Sequence, residues 1–193
     1  LIKSGAGRLM LNGASTYTGD TRVNAGNLWG TGSANGTTVY VVSGGTMGPA
    51  NAATLGTFTV GRASLSNDSQ VVCLINGTTP TIGVVTDFIT ADTNWINPLQ
   101  TGPFAAGSYP LINYSNSIQG AGFGALKLAR GFDRVSMVLS NNTTDTTVDL
   151  VVSAIAPVTN LVWTGSVSEA WDVGATTNWV TAPGAVDSVF IHG

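Results

Sequence analysis

With 193 residues, 43% of them hydrophobic and only 9% charged, the chain is long enough to bury a core and too apolar to be disordered. A net charge of −3 argues against nucleic acid or an anionic membrane as its ligand. Its 25 glycines, with abundant Thr, Ser and Asn, point to turn-rich β structure rather than to helices.

The first half alternates short strands with turns. Arg8–Leu11, Thr21–Val23, Asn27–Trp29, Thr38–Val42, Phe58–Val60 and Gln70–Ile75 all lie between Gly, Asn and Ser clusters and are predicted as strands. Gly7-Arg8-Leu9, Gly26-Asn27-Leu28 and Gly45-Thr46-Met47 repeat Gly-x-(Leu/Met) at intervals of nineteen residues, and Gly61 to Leu65 is a looser fourth echo. A period near twenty with small residues at the corners predicts one coil of a β-solenoid per repeat. Leu9 and Leu11 would then stack beneath Val23 or Leu28, followed by Val39, Val41 and Met47, then by Phe58, Val60 and Leu65. An antiparallel sandwich built from the same strands has the same alternation and stands as the alternative.

Residues 1–75 therefore read as regular coils, and residues 76–103 as an irregular stretch in which Pro80, Pro98 and Pro103 mark loops and Trp95 covers a coil edge. The best helical candidate, Asp87–Trp95, lies here, although Thr90, Thr93 and Asn94 are poor helix formers. Residues 104–156 return to order with Phe104–Tyr114 and Ile118–Leu128. Arg134–Leu139 and Thr147–Val152 are two strong strands about the polar run Asn141–Thr146, and they read either as a hairpin or as parts of successive coils. After the short linker Ala154-Ile155-Ala156-Pro157, residues 157–193 form a Trp-rich β segment with Trp163, Trp171 and Trp179 spaced eight apart. The chain has no initiator Met and stops within the strand-like run Asp187–Gly193, so both ends are expected to be cuts in a longer polypeptide.

Lys3-Ser4-Gly5-Ala6-Gly7-Arg8-Leu9-Met10-Leu11-Asn12-Gly13, continued by Ser15-Thr16-Tyr17-Thr18-Gly19, Thr21, Val23, Gly26 and Leu28, resembles the autotransporter-associated β-strand repeat. That pattern runs K-x-G-x-G-x-L-x-L-x-G-x-N-T-Y-T-G-x-T-x-V-x-x-G-x-L. Ser15 stands where Asn is usual and Asp20 where Gly is common. The match covers about the first thirty residues, while Phe104–Leu128 and the Trp163-Thr164-Gly165 to Asn178-Trp179 motif are similar to segments that flank this repeat in very large bacterial surface proteins. The resemblance implies an all-β, right-handed parallel β-solenoid (β-helix) stalk, exported and displayed extracellularly on the bacterial cell surface, and it carries no catalytic residue. It also implies a unit of a tandem array or a filament protomer, with Gly193 running toward another copy of Leu1.

Residues suited to chemistry are few. His192 is the only histidine and is remote in sequence from Cys73, the only cysteine, which sits in an apolar run as a small hydrophobe. No Cys-x-x-Cys, His cluster or Asp-rich Gly loop is present, so no metal and no cofactor are expected. Asp87 with Asp92, Asp145 with Asp149, and Glu169 with Asp172 are the available carboxylate pairs, and each reads as turn or capping carboxylates that accept backbone N–H bonds. Arg130, Asp133 and Arg134 form the densest charge cluster, read as a surface ion pair rather than a lyase-like groove. N-x-S/T matches at Asn35, Asn67, Asn76 and Asn113 are of the kind that chance supplies in so polar a composition.

The expected function is structural and non-catalytic: a stalk or fibre unit stacked head to tail. Its partners would be copies of itself or adjacent repeats, with no nucleic acid and no membrane insertion. The expected junction comprises Leu1 and Ile2 at one end and Trp163, Trp171, Trp179, Val189, Phe190 and Ile191 at the other, where the Trp-rich segment packs on an end or on a neighbouring unit. The alternative is an adhesin or carbohydrate-binding module in which Trp163, Trp171 and Trp179 stack against surface glycans. A polysaccharide lyase or hydrolase stands behind both.

Overall fold

A computed structural model describes residues 1–50, 56–103, 105–156, 160–164, 167, 179–182 and 187–188. The chain divides into two compact units, Leu1–Ala154 and Ile155–Gly193. The first begins with β1 (Ile2–Lys3), β2 (Arg8–Leu11), β3 (Thr21–Val23), β4 (Gly26–Gly30), β5 (Ser33–Val41), β6 (Gly45–Pro49), β7 (Phe58–Leu65) and β8 (Ser69–Ile75). It continues through β9 (Ile82–Val84), β10 (Phe88–Thr90), β11 (Asn94–Gln100), β12 (Gly107–Tyr114), β13 (Ile118–Gly120) and β14 (Leu126–Leu128). A 3₁₀ turn at Phe123–Ala125 is the sole helical element among the described residues.

Strands β1 to β14 pair with one another one pass of the chain away, not with their neighbours in sequence. β2, β4, β6, β8, β11 and β14 form a sheet in which all five pairings are parallel. β1, β3, β5, β7, β9 and β12 pair in parallel in a second sheet, with β10 and β13 branching in parallel from β7. These parallel pairings replace the antiparallel-sandwich alternative. Long crossovers are what parallel pairing requires, and each strand of one sheet supplies the crossover for the other.

The nineteen-residue spacing becomes a register. Leu9 pairs with Leu28 and Leu28 with Met47, and the column continues through Val71, Ile96 and Leu128. Leu28, Met47, Val71 and Ile96 are fully buried, whereas Leu9 and Leu128, at the two ends of the column, are half-buried. The second sheet supplies the columns Val23–Val41–Leu65 and Phe58–Ile82–Ile112. The alternation expected of strands with one buried face thus places the inward side chains of these columns on apolar neighbours one strand away. The fourth echo belongs elsewhere: Ala63 and Leu65 pair with Val39 and Val41, and Val71 continues the Leu28–Met47 column.

Two other expectations change. Asp87–Trp95 is not helical but contains β10, a turn in which Asp92 takes φ 26°, and the start of β11. Trp95 lies within β11, paired with Gln70 and Lys127, and is 36% exposed. The open choice for the last strong strands resolves to a hairpin, β15 (Val135–Asn142) with β16 (Thr147–Ile155). Four connecting residues are too few for a parallel crossover, and Ser153 Oγ donates to the Ser136 carbonyl across the pair. β16 runs antiparallel to β12.

The second unit contains an antiparallel sheet of β17 (Asn160–Trp163), β18 (Trp179–Ala182) and β19 (Asp187–Ser188), with Trp163 opposite Trp179.

Candidate functional site

A stack of parallel strands has two ends, and in the first unit they differ. At the beginning, among the described residues, β1 pairs only with β3 and β2 only with β4, so both sheets present an unpaired strand edge there. Leu1 is 46% and Ile2 68% exposed on this edge, and Leu9 and Leu11 are only partly covered. Unpaired parallel edges invite a further strand.

Lys3 occupies the inward position of the Val23–Val41 column in this first pass and is nevertheless buried. Its Nζ donates to the carbonyls of Ser4, Gly5 and Ala25 at 3.0, 2.6 and 3.0 Å, so all three ammonium protons have acceptors. The aliphatic stem covers the column while the charge ties the corner of the first pass to the second. Sequence reasoning did not assign Lys3 this role; its signal was a Lys where the other passes carry Val and Leu.

At the other end the β15–β16 hairpin covers the last pass. Val135, Met137 and Leu139 on alternate positions of β15 pack against the core, and the intervening Val138 is 60% exposed. Tyr114 fastens β12 to β15 by donating to Asn141 Oδ1 at 2.6 Å. Burial, aided by the nearby Asp149 charge, raises the Tyr114 hydroxyl above its ordinary pKa, while the Asn141 bond acts against the rise.

Of the paired carboxylates, Asp87, Asp145 and Asp149 find side-chain donors rather than the backbone donors expected of them. Asp87 is held by Arg62 in a salt bridge and by Gln119 Nε2 at 3.0 Å. Asp149 is buried and accepts from Thr147 Oγ1 at 2.6 Å and Ser108 Oγ at 2.9 Å. Asn142 Nδ2 donates to Asp145 at 2.9 Å and, more weakly, to Asp149 at 3.4 Å, beside a cavity of about 390 Å³. No ion pair forms within Arg130, Asp133 and Arg134; Arg62–Asp87 is the salt bridge among the described residues. Cys73 is fully buried in the core, and burial drives its thiol pKa far up, which suppresses the thiolate.

Of the expected junction residues, Leu1 and Ile2 lie together on the open edge, and Trp163 is 37% exposed in the second unit. The backbone of Trp179 is paired with Trp163. Trp171, Val189, Phe190, Ile191, His192, Glu169 and Asp172 lie outside the described residues.

Comparison with known families matches residues 1–29 to the model described as passenger-associated-transport-repeat. The matched segment contains β1 to β3 and most of β4, the first two passes of the stack, and agrees with the resemblance carried by the same residues. No curated protein and no solved structure matches the chain.

Proposed function

We propose, taking residues 1–29 as a passenger-associated transport repeat, that the chain is a structural and non-catalytic part of an exported bacterial surface protein. In this reading the first unit is a right-handed parallel β-solenoid that supplies length and stiffness to a stalk or fibre. The observation that carries the reading is the continuity of the matched repeat with the stack. Its Leu9 and Leu28 begin a column that runs through six strands without changing partners or direction. Nearest-neighbour stacking of this kind yields an elongating object whose stability grows with each added pass.

The open edge at Leu1 and Ile2 is where the next unit would join, with the Trp-rich segment of a neighbouring copy, including Trp163, Trp171, Trp179, Val189, Phe190 and Ile191, supplying the other half. Head-to-tail contacts that do not close generate fibres. Electron microscopy and light scattering of the 193-residue chain test this directly. End-to-end particles that vanish on Ile2→Asp or on removal of residues 160–193 are expected. A monodisperse monomer at all concentrations would refute head-to-tail addition.

A further inference from the structure

The strands of the β2–β4–β6–β8–β11–β14 sheet carry outward cations, Arg8 and Lys127, and no acid. Although the protein carries ten Asp and Glu against seven Lys and Arg, the six strands of this sheet contain no carboxylate. Register places Arg8, Asn27, Thr46, Gln70, Trp95 and Lys127 in one outward column, with a cation at each end and the indole of Trp95 beside the second. Five strand spacings separate Arg8 from Lys127, or about 24 Å along the stack.

Beside this column runs a groove of about 470 Å³ lined by Arg8, Trp29, Leu74, Leu99, Arg130 and Phe132. The volume is that of an ordinary ligand site. Both of its arginines are held by rings instead of by acids: Arg8 stacks 4.0 Å from the Trp29 ring centroid, and Arg130 lies 5.7 Å from that of Phe132. Neither makes a salt bridge among the described residues, so their planar donor sets are oriented yet uncommitted. The two buried side-chain polar atoms without a hydrogen-bond partner among the described residues, Trp29 Nε1 and Asn97 Oδ1, also belong to this sheet, in strands whose outward faces flank the groove.

We propose that this face binds an acidic polysaccharide laid along the stack, its carboxylates on Arg8, Lys127 and Arg130 and its ring faces against Trp95, Leu74 and Leu99. A saccharide suits the surface better than an acidic peptide. This is the face of a sheet and not its edge, so a peptide backbone would find no strand edge to pair with. Sugar hydroxyls carry their own donors and acceptors, and their apolar ring faces match the aliphatic and aromatic lining. The overall charge of −3 does not oppose the assignment, because distant charges are screened within about 10 Å and a ligand on this face meets strands that carry cations and no carboxylate.

Calorimetric titration of the 193-residue chain with polygalacturonate, with neutral dextran and polyglutamate as comparisons, tests the proposal. Polygalacturonate is expected to bind in a salt-sensitive manner and dextran not at all. Arg8→Gln and Arg130→Gln should each weaken binding about tenfold, as loss of a charged hydrogen-bonding partner does. Both residues are exposed, so unchanged melting temperatures verify the fold, and Lys127→Gln provides a third position on the same face. Arg22→Gln, on the other sheet, should leave affinity unchanged. Absence of polygalacturonate binding, equal binding of dextran or polyglutamate, or an Arg22→Gln loss as large as that of Arg8→Gln would each overturn the proposal.

Discussion

Leu28 and Met47 stand at matched positions of adjacent parallel strands, nineteen residues apart, and neither exposes any surface. Truncating Leu28 to Ala should leave a cavity between two neighbours that cannot collapse and cost about 3 kcal/mol. Leu9→Ala removes the same atoms from the same column at its half-open end and should cost about half as much, since less area returns to water. Urea unfolding midpoints of the two variants give the comparison. Equal losses would mean that the first pass is covered as well as the second.

Gly26 and Gly44 separate backbone strain from collision. Both have positive φ, 69° and 76°, but a Cβ on Gly26 would lie 2.4 Å from the Gly5 carbonyl, whereas one on Gly44 would meet nothing within 4 Å. Gly44→Ala should cost about 1–2 kcal/mol from the left-handed conformation alone. Gly26→Ala should exceed that and loosen the first two passes, a difference readable by thermal unfolding together with amide exchange in β1 and β2. Gly44→Asn should recover part of the loss, and Gly26→Asn should not.

The thiol of Cys73 should resist alkylation in the native chain and react at once in denaturant, because burial raises its pKa and excludes the reagent. The linkage has a definite sign. The folded state keeps the proton that the unfolded chain releases above about pH 8.5, so this contribution is complete below that pH and declines as pH rises beyond it. Cys73→Ala should abolish the alkaline decline attributable to this group, measured as unfolding free energy between neutral and alkaline pH. A native thiol that labels as fast as the unfolded one would contradict the buried placement.

Lys3→Met should preserve the apolar cover over Val23 while stranding the Ser4, Gly5 and Ala25 carbonyls. A loss of roughly 2 kcal/mol is expected, as for other charged hydrogen bonds. Hydrogen exchange should localise it to β1 and β3, leaving β11 and β12 protected, since coupling in stacked structures passes between neighbours. Uniform deprotection would show that Lys3 supports the whole stack.

The early passes were legible because their spacing is constant: an unchanged interval puts Gly7, Gly26 and Gly45 at one corner and makes the partner of each strand computable. From β6 onward the interval changes. Thr46 pairs with Gln70, and Trp95 with Lys127, so projection of the old period landed on Ala63–Leu65 and assigned them to the wrong column. The weak helical candidate Asp87–Trp95 is instead two short strands joined by a turn with Asp92 at positive φ. The hairpin strands were found, but alternation names no partner, and only the short Thr143–Thr146 connection decides it. The candidate site was less legible still, because only register across strands far apart in sequence aligns Arg8 and Lys127 as the two ends of one outward column.

Between Asn27 and Thr46 the chain uses nineteen residues to return to the same strip, and between Trp95 and Lys127 it uses thirty-two, yet Leu28, Met47, Ile96 and Leu128 remain in one inward file. The surplus is therefore expelled at the bends. Insertions there leave the interior indifferent, so such a scaffold can acquire new external decoration without renegotiating the packing that holds it upright.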